Sequence, residues 1–212
     1  MILVSMEPVP HSEKVKLTFS DGQVLKTQSY VAAELGLFAG LELSEDEWQK
    51  LRQTVGKASA KERAVRIVSA SGVSERELQR RLEQKGEDGQ DAAEAVAWLK
   101  ELRLLDDRET AAQLVASAVR RGYGKSRIQS LLYEKGIPHE YWQEALSDIP
   151  DQSDAIDQFL AKRFAGREPD EKTVKKAVDA LLRRGHSWSD IQNALRRYQA
   201  ELEEIPDFDP DI

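Results

Sequence analysis

Residues 15–19 (VKLTF) alternate between apolar and polar side chains, which is the pattern of a half-buried β-strand. Asp21-Gly22 comes next, and this dipeptide is typical of a two-residue hairpin, because both central positions of a type I′ turn need a positive φ. Residues 23–29 are predicted to return as the partner strand, and residues 2–6 to add a third strand.

A helix is predicted after this hairpin. Ser44 and Glu47 have the spacing of a capping box, in which each side chain accepts a hydrogen bond from the other residue's backbone N–H. Apolar residues then recur at helical spacing from Trp48 onward. Residues 1–56 are therefore predicted to form a small β-hairpin subdomain that ends in a helix.

From residue 57 the chain has the apolar spacing of helices only, and it contains an internal repeat aligned on Gly72, Gly122 and Gly185. Six positions after each glycine comes a branched aliphatic residue, and ten positions after it comes a leucine. These residues are Leu78, Ile128 and Ile191, followed by Leu82, Leu132 and Leu195. We interpret each copy as a helix, a glycine break in the left-handed conformation and a second helix.

The second helix of each copy is predicted to begin after a residue suited to an N-cap position: Ser74, Gly124 or Ser187. Further helices are predicted at 92–102 and 138–146. The resulting fold is mainly α, with three tandem three-helix repeats in an elongated, curved array behind the N-terminal subdomain. The predicted boundaries are 1–56, 57–105, 106–150, 151–199 and an acidic tail at 200–212.

Charge is distributed unevenly along the chain, whose net charge is -7. Residues 57–85, 110–137 and 172–199 carry 8, 5 and 7 basic residues against 4, 1 and 2 acidic ones. The segments between them, and residues 200–212, are acidic. The negative average argues against a polyanionic partner, but each basic segment coincides with a repeated helix pair, and stacked repeats would align these faces in a stripe.

The candidate partner-binding or DNA-binding residues are the cations of these segments. They are Arg80, Arg81, Lys85, Arg120, Arg121, Lys125, Arg127, Lys135, Arg183, Arg184, Arg196 and Arg197. An alternative explanation is that cations at helix C-termini interact favourably with the helix dipole, which accounts for the two Arg-Arg pairs. It does not account for Lys125 and Arg127, which open a helix, where positive charge is unfavourable.

Signals of catalysis, cofactors and metals are absent from the sequence. Without cysteine, a disulfide scaffold, a thiol nucleophile and a Cys-based zinc site are excluded, and three scattered histidines do not indicate a metal site. Gly122–Ser126 resembles the end of a phosphate-binding loop, but Val119 stands where that motif needs its first glycine. The four tryptophans are expected in packing rather than as base-stacking platforms. We expect a non-enzymatic protein without a cofactor.

Several short motifs together resemble the RecX family over about residues 58–199. The closest are 105–115 (LDDRETAAQLV), 121–128 (RGYGKSRI) and 132–137 (LYEKGI). Residues 73–78 (VSEREL) and 182–191 (LRRGHSWSDI) fit the flanking repeats. The chain departs from the family pattern at Thr110, where an aromatic residue is common, and in its acidic C-terminal segment.

This resemblance implies a regulatory protein of tandem three-helix units that modulates the RecA recombinase. Such proteins bind in the groove of the RecA filament on single-stranded DNA and typically inhibit ATP hydrolysis, strand exchange and co-protease activity in DNA repair and the SOS response. Two alternatives stay open at this point: a helical nucleic-acid-binding module, for single- or double-stranded DNA, that acts without RecA, and a solenoid adaptor for another protein.

No signal peptide or membrane span is expected, because residues 1–6 are apolar but lack a basic region and no apolar run approaches about 18 residues. The sequence therefore predicts a cytoplasmic protein with no membrane partner. We also expect it to be a monomer.

Overall fold

The computed structural model describes residues 1–165 and 168–203, and side chains as far as residue 200. The chain divides into two compact units, Met1–Asp106 and a second that begins at Asp107. Most of the described residues are helical, and a small antiparallel sheet lies at the N-terminus, as the sequence predicts.

The first unit begins with a three-stranded antiparallel sheet of β1 (Leu3–Pro8), β2 (Lys14–Phe19) and β3 (Val24–Gln28), in the order β1-β2-β3. A hairpin turn is present at the predicted place, with Gly22 at φ +85°, but it is not the predicted type I′ turn, because Asp21 does not have a positive φ. The Gly22 N–H donates to the Phe19 carbonyl, and the Phe19 N–H donates to the Gln23 carbonyl, both at 2.9 Å. Leu17 pairs with Leu25, and the face that carries Leu17 and Phe19 is buried.

Four helices complete this unit: α1 (Ser29–Glu34), α2 (Glu45–Ala70), α3 (Glu75–Gln84) and α4 (Gly89–Glu101). The predicted capping box starts α2, since Ser44 accepts from the Glu47 N–H and the Glu47 carboxylate accepts from the Ser44 N–H. The short helix α1 was not predicted.

Helix α2 contributes to two separate clusters of buried side chains. Its first half places Trp48, Leu51 and Val55 against the sheet. Its second half places Ala60 and Ala64 against α3 and α4. The boundary predicted between residues 56 and 57 therefore lies inside one continuous helix.

The described residues of the second unit form two groups of three α-helices. The first group is α5 (Asp107–Arg120), α6 (Lys125–Glu134) and α7 (Trp142–Ser147). The second group is α8 (Ser153–Phe164), α9 (Glu171–Arg183) and α10 (Trp188–Glu203). The helix predicted at 138–146 is divided into a 3-10 turn at His139–Tyr141 and α7. Residues 200–203 of the predicted acidic tail belong to α10, and the rest of that tail lies outside the described residues.

The repeated apolar positions form the cores of these helix groups. Leu78, Leu82, Ile128, Leu132 and Ile191 are all fully buried, whereas Leu195 is only partly buried. Each group buries its own cluster, with Ala111, Val115 and Ala118 of α5 in one and Ile156, Leu160 and Phe164 of α8 in the next. The aligned glycines divide the first and second helices of the α5–α7 group, but the second and third helices of the α8–α10 group.

Candidate interaction surface

The turn between α5 and α6 is a Schellman motif, in which a left-handed glycine lets the last carbonyls of a helix accept hydrogen bonds. Gly122 has a φ of +70°. Its N–H donates to the Val119 carbonyl at 2.8 Å, and the Tyr123 N–H donates to the Ala118 carbonyl at 3.1 Å. Glycine adopts this φ without the steric cost that a Cβ brings.

The turn between α9 and α10 repeats this geometry. Gly185 has a φ of +86°, its N–H donates to the Leu182 carbonyl at 2.9 Å, and the His186 N–H donates to the Leu181 carbonyl at 3.2 Å. The alignment of Gly122 with Gly185 in the sequence therefore reflects the same local structure.

The corresponding prediction for Gly72 is wrong. Helix α2 ends at Ser71 in an extended conformation, with φ -165° and ψ 145°, so the chain leaves this helix without a left-handed glycine turn. Gly86, which follows the next helix α3, is the glycine that takes the left-handed conformation at a helix end here, with φ +89°.

The α5–α6 turn and the α9–α10 turn are hydrogen-bonded to each other. The Gly124 N–H donates to the Arg184 carbonyl at 2.8 Å, and the Ser126 N–H donates to the Gly185 carbonyl at 3.2 Å. Gly124 is the N-cap of α6 and has no side chain to cap the helix. The carbonyls at the end of α9 take over that role, because they satisfy N–H groups that would otherwise lack a partner.

The two turns approach so closely that neither glycine leaves room for a methyl group. A Cβ on Gly124 would lie 2.3 Å from the Gly185 carbonyl oxygen, and a Cβ on Gly185 would lie 2.2 Å from the backbone nitrogen of Arg127. Gly124 has an ordinary φ of -76°, so its requirement for glycine comes from this contact alone.

Two side chains of the α8–α10 group complete the contact. The Nε2 atom of His186 lies 3.1 Å from the Gly122 carbonyl oxygen, and the Gln152 amide donates to the Tyr123 carbonyl at 2.8 Å. His186 is buried, and this burial lowers the pKa of its imidazole below the usual 6.5, with a further contribution from Arg184. The neutral form is therefore favoured, and it donates from Nε2 to the carbonyl.

Neither His186 nor Gln152 was singled out from the sequence. One signal was available, because the residue directly after the aligned glycine is Val73 in the first copy, Tyr123 in the second and His186 in the third. An ionisable side chain at a position that is elsewhere apolar or aromatic indicates a specific hydrogen-bond partner.

The two touching turns carry five of the predicted cations, which we call the basic junction: Arg120, Arg121, Lys125, Arg183 and Arg184. Arg120 and Arg121 directly precede Gly122, and the other two arginines directly precede Gly185. Among the residues that the structure describes, Arg120, Arg121, Lys125 and Arg183 make no ion pair, and all four are exposed. Arg184 is partly buried, with its guanidinium 4.8 Å from the centre of the Phe159 ring.

The position of α9 also explains the cations at the start of α6. The carboxyl end of a helix carries partial negative charge, and the end of α9 lies directly against the first turn of α6. Lys125 and Arg127 are therefore placed where the dipole of α9 offsets the dipole of their own helix. Arg127 also pairs with Glu134 at 2.7 Å.

The remaining candidates of the second unit lie outside the basic junction. Arg197 makes two hydrogen bonds to the Asp157 carboxylate, at 3.0 and 2.8 Å, and so joins α10 to α8. Arg196 is exposed on α10, and Lys135 is the partly buried C-cap of α6. Trp188, expected in packing, is 56% exposed at the start of α10.

The candidates of the first unit lie on α3 and just after it. Arg81 pairs with Glu77 one helical turn away, whereas Arg80 and Lys85 are exposed. The stripe that the sequence predicts across all three helix pairs stays a prediction.

A cavity of about 450 Å³ opens beside the contact between the turns. Lys125, His186, Asp151 and Asp190 all line it, so both signs of charge face the same space. No cluster of three or more His, Cys, Asp or Glu side chains that could hold a metal ion is found in the described part of the chain. Nor do the described helices include one that is long and apolar enough to cross a membrane.

Comparison with known proteins assigns the chain to a family. Residues 106–146, which cover α5 to α7, match the family model described as RecX, second three-helix domain. The regulatory protein RecX of Chlorobaculum tepidum is 34% identical over 143 residues, an alignment that covers 66% of this chain and 88% of the relative. The chain belongs to the RecX family.

A further relative supports the same assignment, and two solved structures share the fold. The regulatory protein RecX of Salmonella paratyphi A is 32% identical over 149 residues, which cover 65% of this chain and 90% of that protein. A crystal structure of a regulatory protein RecX matches the fold with a TM-score of 0.63 at 19% identity, over 91% of this chain and 98% of the other. RecX from Lactobacillus salivarius matches with a TM-score of 0.57, also at 19% identity, over 68% of this chain and 97% of the other.

Proposed function

We propose that this RecX-family chain is a regulatory protein that binds in the groove of the RecA filament on single-stranded DNA and inhibits its ATPase, strand-exchange and co-protease activities. Family membership supports the RecA partner. The observation that carries the proposed contact is the basic junction, where two hydrogen-bonded turns hold exposed cations that have no acidic partner among the described residues.

The physical basis of the contact is charge complementarity. The charge of a paired surface cation is already balanced by its carboxylate partner. By contrast, four cations are available to acidic side chains or DNA phosphates of the filament: Arg120, Arg121, Lys125 and Arg183. Because the turns are fixed to each other, little backbone entropy is lost when these groups engage a partner.

The first experiment adds the protein to RecA, single-stranded DNA and ATP at a near-stoichiometric ratio and measures ATP hydrolysis and filament length. We expect slower hydrolysis and shorter filaments. Unchanged hydrolysis and length would contradict the proposal.

A second experiment tests the basic junction with a charge-matched control. One variant changes Arg120, Arg121, Lys125 and Arg183 to glutamate, and the control changes Lys162, Arg163, Lys172 and Lys175 to glutamate. All eight side chains are exposed in the second unit, and the four control positions lie at the end of α8 and the start of α9, away from the turns. We expect the first variant to lose inhibition and the control to keep it. Equal losses would show that only overall charge matters.

The unpaired cations also favour a second function, nucleic-acid binding without RecA. Binding to phosphates releases counterions, so the logarithm of affinity should fall with the logarithm of salt by about 0.7 per phosphate neutralised on single strands. A salt titration with single-stranded DNA and no RecA tests this directly. Affinity that does not change with salt would exclude it.

A further inference from the structure

His186 is a buried titratable side chain at the contact between the α5–α7 group and the α8–α10 group. The residue is 7% exposed, and its Nε2 lies 3.1 Å from the Gly122 carbonyl oxygen. A carbonyl oxygen can only accept, so the imidazole donates from Nε2. The hydrogen bond therefore links the residue after one glycine turn to the glycine of the other.

This bond belongs to a continuous set along the α5–α6 turn. The Gly122 and Tyr123 carbonyls accept from His186 and Gln152, and the Gly124 N–H donates to the Arg184 carbonyl. The Ser126 N–H completes the set by donating to the Gly185 carbonyl. Every one of these four bonds joins the α5–α6 turn to a residue of the α8–α10 group.

The close approach of the glycines makes this contact specific to one arrangement. Since the backbones meet with no room for a Cβ at either Gly124 or Gly185, a small displacement between the two turns breaks the hydrogen bonds. The partly buried Gly122 carbonyl would then lose its donor, which is unfavourable.

We propose that His186 is a positioning residue that fixes the α8–α10 group against the α5–α7 group and so holds the basic junction together as one surface. Arg120, Arg121 and Lys125 flank the glycine to which the imidazole bonds, and Arg183 and Arg184 directly precede Gly185 and His186. The position of the cations relative to one another therefore depends on this hydrogen bond. Only the use of the surface rests on the function proposed above.

The test compares backbone amide exchange in the full chain with His186→Leu and with His186→Gln, whose side-chain amide can still donate. The probes are the Gly124 and Ser126 amides, which donate across the contact. The internal reference is the Ile137 amide, which donates at 3.0 Å to the Leu132 carbonyl within the α5–α7 group. His139→Leu serves as the control, because His139 is an exposed histidine stacked on Trp142.

We expect His186→Leu to accelerate exchange at Gly124 and Ser126 by about tenfold or more relative to Ile137, since the Gly122 carbonyl loses its donor across the contact. His186→Gln should restore most of the protection, and His139→Leu should leave it unchanged. Exchange that stays as slow as in the natural chain, or that accelerates equally at all three amides, would overturn the proposal.

A measurement on the unaltered chain keeps the proposal testable if His186→Leu does not fold. Long-range ¹H–¹⁵N spectra distinguish the two neutral tautomers of histidine, and we expect His186 to carry its proton on Nε2. A proton on Nδ1 would overturn the proposal, because the Gly122 carbonyl would then have no donor.

A separate assay with RecA tests whether the position of His186 matters for inhibition. His186→Leu should lose most of its inhibition of RecA ATP hydrolysis, and His186→Gln should retain it. Because the exchange and tautomer measurements contain no RecA, they decide the positioning role even if the chain does not inhibit RecA.

Discussion

The backbone N–H of Gly124 donates to the carbonyl of Arg184 at 2.8 Å, which joins the start of α6 to the end of α9. Each residue belongs to a turn that the sequence repeats, yet the hydrogen bond between them is made by the backbone alone. A backbone contact of this kind tolerates side-chain substitutions at the neighbouring positions, but it does not tolerate a side chain at the glycines.

Gly124→Ala should destabilise the protein by about 1–3 kcal/mol, the range for forcing extra atoms into a packed site. The new Cβ would lie 2.3 Å from the Gly185 oxygen and 2.5 Å from the His186 nitrogen, and both are backbone atoms that cannot rotate away. The free energy of unfolding in urea measures the change. The control is Gly89→Ala, whose Cβ has its nearest neighbour at 3.8 Å, and it should be neutral or slightly stabilising. Equal values for the two variants would show that the turns are not in close contact.

The local elements of this fold follow from short patterns in the sequence. Asp21-Gly22 specifies a hairpin turn, the Ser44–Glu47 pair starts α2, and the glycines at 122 and 185 end their helices in the left-handed conformation. Each of these features depends on residues within one or two turns of chain, so spacing alone is sufficient to find it.

Gly72 shows where such patterns fail. Its neighbours match those of Gly122 and Gly185, but α2 ends in an extended conformation at Ser71. The spacing of apolar residues around a glycine indicates that a helix ends there, but it does not specify the backbone conformation of the residue that ends it.

The contact between the turns could not be predicted, because it joins residues that are far apart in the sequence. The cations of the basic junction were all candidates, but nothing in the sequence indicated that Arg184 and Gly124 are bonded. In the same way, the Arg81–Glu77 pair has helical spacing and is readable in the sequence, whereas the Arg197–Asp157 pair joins two helices and is not.

A second prediction concerns Gly56 in the middle of α2. Alanine in a helix interior is favoured over glycine by about 1 kcal/mol, but a Cβ on Gly56 would lie 2.3 Å from Oδ2 of Asp91. Burial, with added repulsion from Asp88, raises the pKa of the Asp91 carboxyl, so its position is already unfavourable for a charge. We expect Gly56→Ala to stabilise the Asp91→Ala variant by about 1 kcal/mol and the natural chain by less.

A double-mutant cycle with urea unfolding measures this difference. Residues in contact should show non-additivity of about 0.5 kcal/mol or more. Effects that add within about 0.3 kcal/mol would mean that Asp91 does not restrict the space at Gly56.

The third prediction is a pH dependence that comes from His186. Burial lowers the pKa of its imidazole, Arg184 lowers it further, and the Gly122 hydrogen bond and Asp190 act in the opposite direction. Lys125 and Asp151 line the adjoining cavity. With the folded pKa below 6.5, the unfolded chain binds more protons than the folded chain at slightly acidic pH. The stabilisation is therefore present above the unfolded pKa of 6.5 and is lost as the pH falls from there through the lower folded pKa.

Urea unfolding from about pH 7.5 to about pH 5.5, the range in which histidine titrates, measures this loss. His186→Gln cannot titrate, so its free energy of unfolding should fall less over the same range than that of the natural chain. Parallel curves for the two proteins would contradict the buried, neutral imidazole.

The last prediction separates backbone strain from contact at the α9–α10 turn. Gly185 and Gly86 follow their helices at nearly the same φ, +86° and +89°, so alanine meets the same left-handed strain of about 1–2 kcal/mol at both positions. A Cβ on Gly86 would meet nothing within 4 Å, whereas a Cβ on Gly185 would lie 2.2 Å from the backbone nitrogen of Arg127. Gly185→Ala should therefore cost about 1–3 kcal/mol more than Gly86→Ala in urea unfolding, the cost of overpacking alone. A difference below about 0.5 kcal/mol, the usual scatter of surface substitutions, would mean that the turns separate at little cost. The contact would then be too weak to hold the cations of the basic junction in one arrangement.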